Sequence, residues 1–210
     1  MNIEFNLSHE KTVDGWDKVI IDAKKEFPLI LEYAYSNFDK GESPNGETKI
    51  LSAFSKLKNF FKKKKEQNIS PYHKEFLDLS ISEIHKLINK IIIGQKEMQD
   101  NDDIYFSFKK VIGWCIISAQ FSFFNKNKGK LAWDEQIYKN RKLMISKNIA
   151  YGSSWSIMRP EGLTDVIHTK IHRVISLLQG KENQYESILD SYEDILNYCA
   201  FCIMRMEMEK

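Results

Sequence analysis

Apolar residues return every three or four positions along most of this chain, the spacing of a helix face rather than the alternation of a strand. Nine glycines and four prolines leave few breakers among 210 residues. The pattern predicts seven helices, over 13–39, 47–66, 71–98, 102–124, 133–147, 163–180 and 184–208. Asp102 and Asp103 are placed to start the fourth, Thr164 to cap the sixth and Gly180 to close it. No segment alternates well enough to be a strand, so the expected fold class is all-α, a helical bundle. The link between the last two helices is short enough to make them antiparallel neighbours. Their apolar faces would be Ile167, Ile171, Val174 and Leu178 against Ile188, Ile195, Cys199 and Ile203.

The seventh helix sorts most cleanly. Glu186, Asp190, Glu193 and Asn197 fall on one stripe with Asp194 at its edge, and the opposite side is apolar. Phe201, Met204 and Met208 continue the stripe as apolar residues, which places the carboxylates at the mouth of a cavity. Buried carboxylates need a metal or a cation beside them, and Lys170 and Arg173 are the nearest cations in sequence.

A weak internal echo bears on the domains. Gly15-Trp16-Asp17 and Ala132-Trp133-Asp134 each open a helix, then come a loop, a basic amphipathic helix and a longer helix. This points to two degenerate three-helix repeats, with 1–130 as an N-terminal helical region and 131–210 as a second helical domain. Where the second copy has Asp190 and Asp194, the first has Ser82 and Lys86, so the chemistry belongs to the C-terminal half.

Composition narrows the classes. With 42% hydrophobic and 29% charged residues the chain reads as an ordinary soluble protein, and a net charge of +2 provides no global field towards nucleic acid or membrane. Three cysteines in apolar stretches fit a reducing cytoplasm rather than a disulfide framework. The N-terminus lacks a signal-peptide pattern, and the apolar run 104–124 is broken by Lys109 and Lys110, which argues against a membrane span.

Candidate chemistry gathers between Lys147 and Tyr198. Tyr151-Gly152-Ser153-Ser154-Trp155 is a glycine turn with hydroxyls and two aromatic rings; Tyr151 or Trp155 can stack on a base while Ser154 and Arg159 meet phosphate. A loop that staples two helices with Trp155 in the core fits the same residues. Asp165 with Lys170 and Arg173 on the sixth helix is what a nucleotide phosphate and its metal require. Asp190, Glu193 and Asp194, with Asp165, can share a hard cation such as magnesium. His168 and His172 have a zinc-compatible spacing, but no third histidine lies near them in sequence, so no zinc site is expected. Cys199-Ala-Phe-Cys202 lies inside a helix and reads as core. Lys62 to Lys65, after Phe60-Phe61, is the one positive signal for nucleic acid, and a lysine-rich helix end explains it as well.

The segment resembles the nucleotide-modification-associated domain 1 family of phage and bacterial proteins. The positions that carry the resemblance are Lys147, Asn148, Tyr151, Gly152, Ser154, Trp155, Arg159, Thr164, Asp165, Ile167, Lys170, Arg173, Val174, Asp194, Asn197 and Tyr198. The resemblance implies nucleotide metabolism or base modification. More distantly, Asp190-x-x-Glu193-Asp194-x-x-x-Tyr198 is similar to the last catalytic helix of MazG-like all-α nucleotide pyrophosphohydrolases, which hold magnesium between carboxylates on two helices. This chain departs from that pattern, because Asp165 is the only acid on the partner helix.

Three readings stay open. One is a magnesium-dependent phosphohydrolase in which Asp190, Glu193 and Asp194 hold the metal and Lys170, Arg173 and Asn197 help bind the nucleotide. Another is a non-catalytic nucleotide sensor in phage–host conflict, and the third a helical nucleic-acid-binding or interaction protein. Phe121, Phe123 and Phe124 leave an apolar end that a homodimer would cover.

Overall fold

In a computed structural model, the structure describes residues 9–38, 71–97, 100–123, 133–180 and 187–209. Among the described residues there are helices and no strands. They are α1 (His9–Ala23), α2 (Phe27–Phe38), α3 (Pro71–Lys96), α4 (Asn101–Phe123), α5 (Trp133–Tyr151), α6 (Pro160–Leu178) and α7 (Ile188–Met208). Short 3₁₀ turns, Lys24–Glu26 and Ser154–Ile157, join α1 to α2 and lie between α5 and α6. The expected helix over 47–66, the Lys62–Lys65 run and the side chains of Phe121, Phe123 and Phe124 lie outside what is described.

The first helix begins at His9 rather than 13 and the one expected over 133–147 runs on to Tyr151; two further boundaries differ from expectation for identifiable reasons. The single helix expected over 13–39 breaks at Lys24–Glu26. Pro28 has no N–H to offer the carbonyl of Lys24, and its ring would collide with that carbonyl in a continuous helix. At the sixth predicted helix, Pro160 occupies the first turn and Arg159 the N-cap position, so the helix starts a turn earlier than Thr164. Thr164 is buried inside that helix, where its hydroxyl donates to the Pro160 carbonyl at 2.9 Å. Gly180 closes α6 as expected, with a positive φ of 81°.

Four helices form a ring. α3 packs on α4, α4 on α7, α7 on α6, and α6 back on α3. Arg205 near the end of α7 donates to the Met158 carbonyl just before α6, and Cys202 donates to that of Pro160, so α6 and α7 run antiparallel. The expected contact faces are the ones used: Ile167, Ile171, Val174 and Leu178 on α6, and Ile195, Cys199 and Ile203 on α7, are buried, with Ile188 packed at the edge. The core draws on both sides of position 130, since Ile84, Phe108 and Ile116 belong to the same cluster as Ile167 and Ile195. Each such side chain contributes about 1.5–3 kcal/mol by leaving water.

The other helices brace the ring. α1 lies against α4 and α7, α2 against α4, and α5 against α1, α4 and α7. Gly113 lets α2 come close, for a β-carbon there would sit 2.4 Å from Ile30 Cδ1. Arg141 of α5 grips Asp17 of α1 with Nε and Nη2 at 2.8 Å each, fixing α5 beside α7. No helix among the described residues is long and apolar enough to cross a membrane.

Candidate functional site

One face of α5 is buried and polar. Gln136, Asn140, Met144 and Asn148 recur at four-residue spacing and all point into the protein. Gln136 donates to Asn140 Oδ1 at 2.8 Å and to Glu193 Oε1 at 3.1 Å, so α5 and α7 meet through amides rather than an apolar seam. The half-buried Glu193 carboxyl is pushed above the usual range by burial first, then by Asp190 and Asp194; the Gln136 hydrogen bond and Lys147 oppose that shift. Gln136 and Asn140 went unnoticed in the sequence because polar residues at helical spacing look like a solvated face.

Asp194 is the electrostatic centre. It is 8% exposed, and two ammonium groups converge on it: Lys147 from the end of α5 and Lys170 of α6, the latter at 2.7 Å. Lys170 is thus the cationic partner expected for this carboxylate, while Lys147 adds a second. One turn further along α7, Asn197 accepts a hydrogen bond from Trp16 Nε1 of α1 at 3.1 Å. The N-terminal region therefore supports the site through a residue that nothing local would single out.

The segment after α5 forms the opposite wall. Gly152 has φ of 65°, with open space where a side chain would stand, so backbone conformation rather than crowding asks for glycine there. Trp155 turns inward and stacks on Phe201 of α7, with ring centroids 4.7 Å apart and planes 6° from parallel. Arg205 pins the segment from below, donating through Nε to the Met158 carbonyl at 2.9 Å. Trp155 acts as the staple that the sequence allowed as an alternative to a base-stacking ring.

Between these walls lies a cavity of about 210 Å³. Lys147, Asn148, Asp194 and Asn197 line one part; Met144, Gly152, Ser154, Trp155, Met158, Tyr198 and Phe201 line the rest. Trp155 is 4% and Asn197 5% exposed, yet Trp155 Nε1 and Asn197 Nδ2 have no hydrogen-bond partner among the described residues. Leaving a buried donor unpaired costs about 1–3 kcal/mol, so two such donors, shut off from solvent on residues of the cavity wall, suit a ligand rich in acceptors that reaches them.

The remaining candidates sit elsewhere. Arg159, at the N-cap of α6, is exposed, and Arg173 is half-buried on α6; neither lines the cavity. Tyr151 ends α5, but its side chain lies outside what is described. Asp165 is exposed on α6. Asp190 is exposed at the start of α7, where its carboxylate accepts hydrogen bonds from Ser187 N and Oγ while Ser187 Oγ accepts from Asp190 N. That is a reciprocal capping box. Asp165, Asp190, Glu193 and Asp194 do not gather three ligand atoms for one ion among the described residues. As the lysines stand, Asp194 is neutralised by cations, an arrangement suited to an anion more than to a preformed metal cage.

Two further readings are settled by burial and packing. Cys199 and Cys202 are buried core residues, as expected, with thiols pushed up by burial. The sequence puts no third histidine near His168 and His172, but in the fold α3 brings His85 beside them, a neighbour 83 positions upstream of His168 that the α3–α6 packing supplies.

Residues 147–206 match the family model described as nucleotide modification associated domain 1. Apart from Met144, the residues that line the cavity lie inside that segment. No curated protein and no solved structure matches the chain.

Proposed function

We propose that the cavity between α5, α7 and the Gly152–Met158 segment binds a nucleotide. The observation that carries this reading is the pair of buried, unpartnered N–H donors, Trp155 Nε1 and Asn197 Nδ2, beside a carboxylate that holds two lysines. The family match of this segment supports it. At about 210 Å³ the cavity is smaller than the roughly 300–1,000 Å³ of pockets that engulf a drug-sized ligand, so it suits a base or sugar with the phosphates towards the mouth. Acceptor atoms of the base or sugar would meet Trp155 and Asn197.

The lysines divide the work. The Lys147 side chain is 45% exposed and that of Lys170 only 20%, so Lys147 is the one free to swing towards a phosphate. Lys170 would stay on Asp194 and keep that buried carboxylate neutralised. Magnesium, in this reading, arrives with the phosphates, with Asp194 as the carboxylate on the cavity wall; magnesium commonly uses one or two carboxylates plus substrate oxygens. A hydrolytic reading of the same site is favoured by one observation, the carboxyl of Glu193 beside Asp194, which burial raises above the ordinary glutamate value.

Calorimetry with nucleoside mono- and triphosphates, in chelator and again in magnesium, tests the proposal. The wild-type chain is expected to bind at least one of them. Lys147→Met is expected to weaken it by about 10–100-fold, the worth of a charge-assisted hydrogen bond. No binding across the panel, or unchanged affinity in Lys147→Met, would contradict it. Pyrophosphate or phosphate release in the magnesium arm would identify the hydrolytic version.

A further inference from the structure

α6 has a second seam, against α3, and it carries chemistry that the cavity does not use. His168 and His172, one turn apart on α6, meet His85 of α3 there. One ligand atom from each of the three lies within 4.8 Å of the others. The ring centroids stand 4.5 Å apart for His168 and His172, and 5.6 and 5.8 Å for His85 to each of them. We propose that His85, His168 and His172 form a three-histidine site for a divalent transition metal, with zinc as the first candidate.

The donor set selects the class of ion. Three imidazoles without a carboxylate or thiolate suit zinc, copper or nickel and disfavour magnesium and calcium. Zinc–nitrogen bonds of about 2.0–2.1 Å put ligand nitrogens about 3.3–3.5 Å apart on a tetrahedral ion, so rotations of the imidazole side chains by roughly an ångström would close the present spacing. His85 and His168 are half-buried while His172 is exposed, so the fourth coordination position opens to solvent, as in sites that keep a bound water.

The site is separate from the nucleotide cavity. Lys170 lies between His168 and His172 in sequence, two residues from each, and therefore about half a turn round α6 from them. Its ammonium reaches Asp194 on the α7 side, while the histidines face α3. Failure of either proposal leaves the other standing. An ion here would clip α3 to α6 and so tie the N-terminal region to the family-like segment.

The test uses the 210-residue, tag-free chain freed of metal by chelator. Calorimetry with zinc chloride is expected to give one zinc per chain, and zinc should raise the melting temperature. Cobalt in place of zinc is expected to give visible ligand-field bands without thiolate charge transfer, which separates these histidines from Cys115, Cys199 and Cys202. His172→Ala removes an exposed ligand without opening the core, and it should weaken zinc binding at least about 100-fold, beyond the 10–100-fold typical of an outer-sphere partner. His85→Ala should do the same. No zinc uptake by the wild-type chain, an unchanged affinity in a folded His172→Ala, or thiolate bands with cobalt would each overturn the proposal.

Discussion

At Asp194 two ammonium groups share one nearly buried carboxylate, and at the adjacent Glu193 the picture reverses, with a carboxyl whose ionisation the protein resists. This difference gives a pH signature. Because the folded-state value of Glu193 is raised, its contribution to stability is present below the ordinary glutamate range and is lost as pH rises through the raised value. Glu193→Gln, which stays neutral and keeps a partner for Gln136, should therefore melt higher than wild type at neutral pH. The gap should close as pH falls below the ordinary glutamate range. A thermal melt series across that range checks it, and a gap independent of pH would show that ionisation of Glu193 is not the cause. At this scale the sequence was partly legible. A buried carboxylate on α7 demands a cation, and Lys170 is near enough in chain to be found. Lys147 carried a motif position but no assigned partner, because only the packing of α5 on α7 brings it to Asp194.

Among the elements, the start of α7 separates two roles for one residue. Asp190 lies on the acidic stripe, which is why the sequence makes it a metal ligand; in the fold its carboxylate is occupied with Ser187. Asp190→Ala should lower stability by about 0.5–2 kcal/mol, the usual cost of a lost cap, and leave nucleotide affinity unchanged with and without magnesium. Urea denaturation and calorimetry on the same variant read both quantities. A loss of magnesium-dependent binding at wild-type stability would return Asp190 to the site. Helix periodicity alone does not distinguish a capping carboxylate from a ligand, since both sit at the polar edge of a first turn. The same blindness hid the buried amides of α5, where Gln136 and Asn140 face Glu193 rather than water. At α6 the expected start at 163 came late, because Pro160 occupies the first turn of the helix.

Across the molecule, an all-α fold and the antiparallel α6–α7 pair followed from spacing and a short link. The closure of the ring did not. Which helix lies across from which depends on contacts far apart in chain, and those contacts place His85 beside His168 and Trp16 beside Asn197. The central claim is that the cavity walled by Trp155 and Asn197 receives the acceptor atoms of a nucleotide. The chain has four tryptophans, so its indole N–H groups give few and resolvable signals in a nitrogen–proton NMR correlation spectrum. Trp155→Phe assigns the one that matters. On titration with a nucleotide, the Trp155 indole and the Asn197 side-chain amide should shift together and saturate together, while the Trp114 indole, in the core edge-on to Tyr33, should stay in place. Saturable nucleotide binding that leaves the Trp155 and Asn197 signals unmoved would contradict the account and send the site elsewhere.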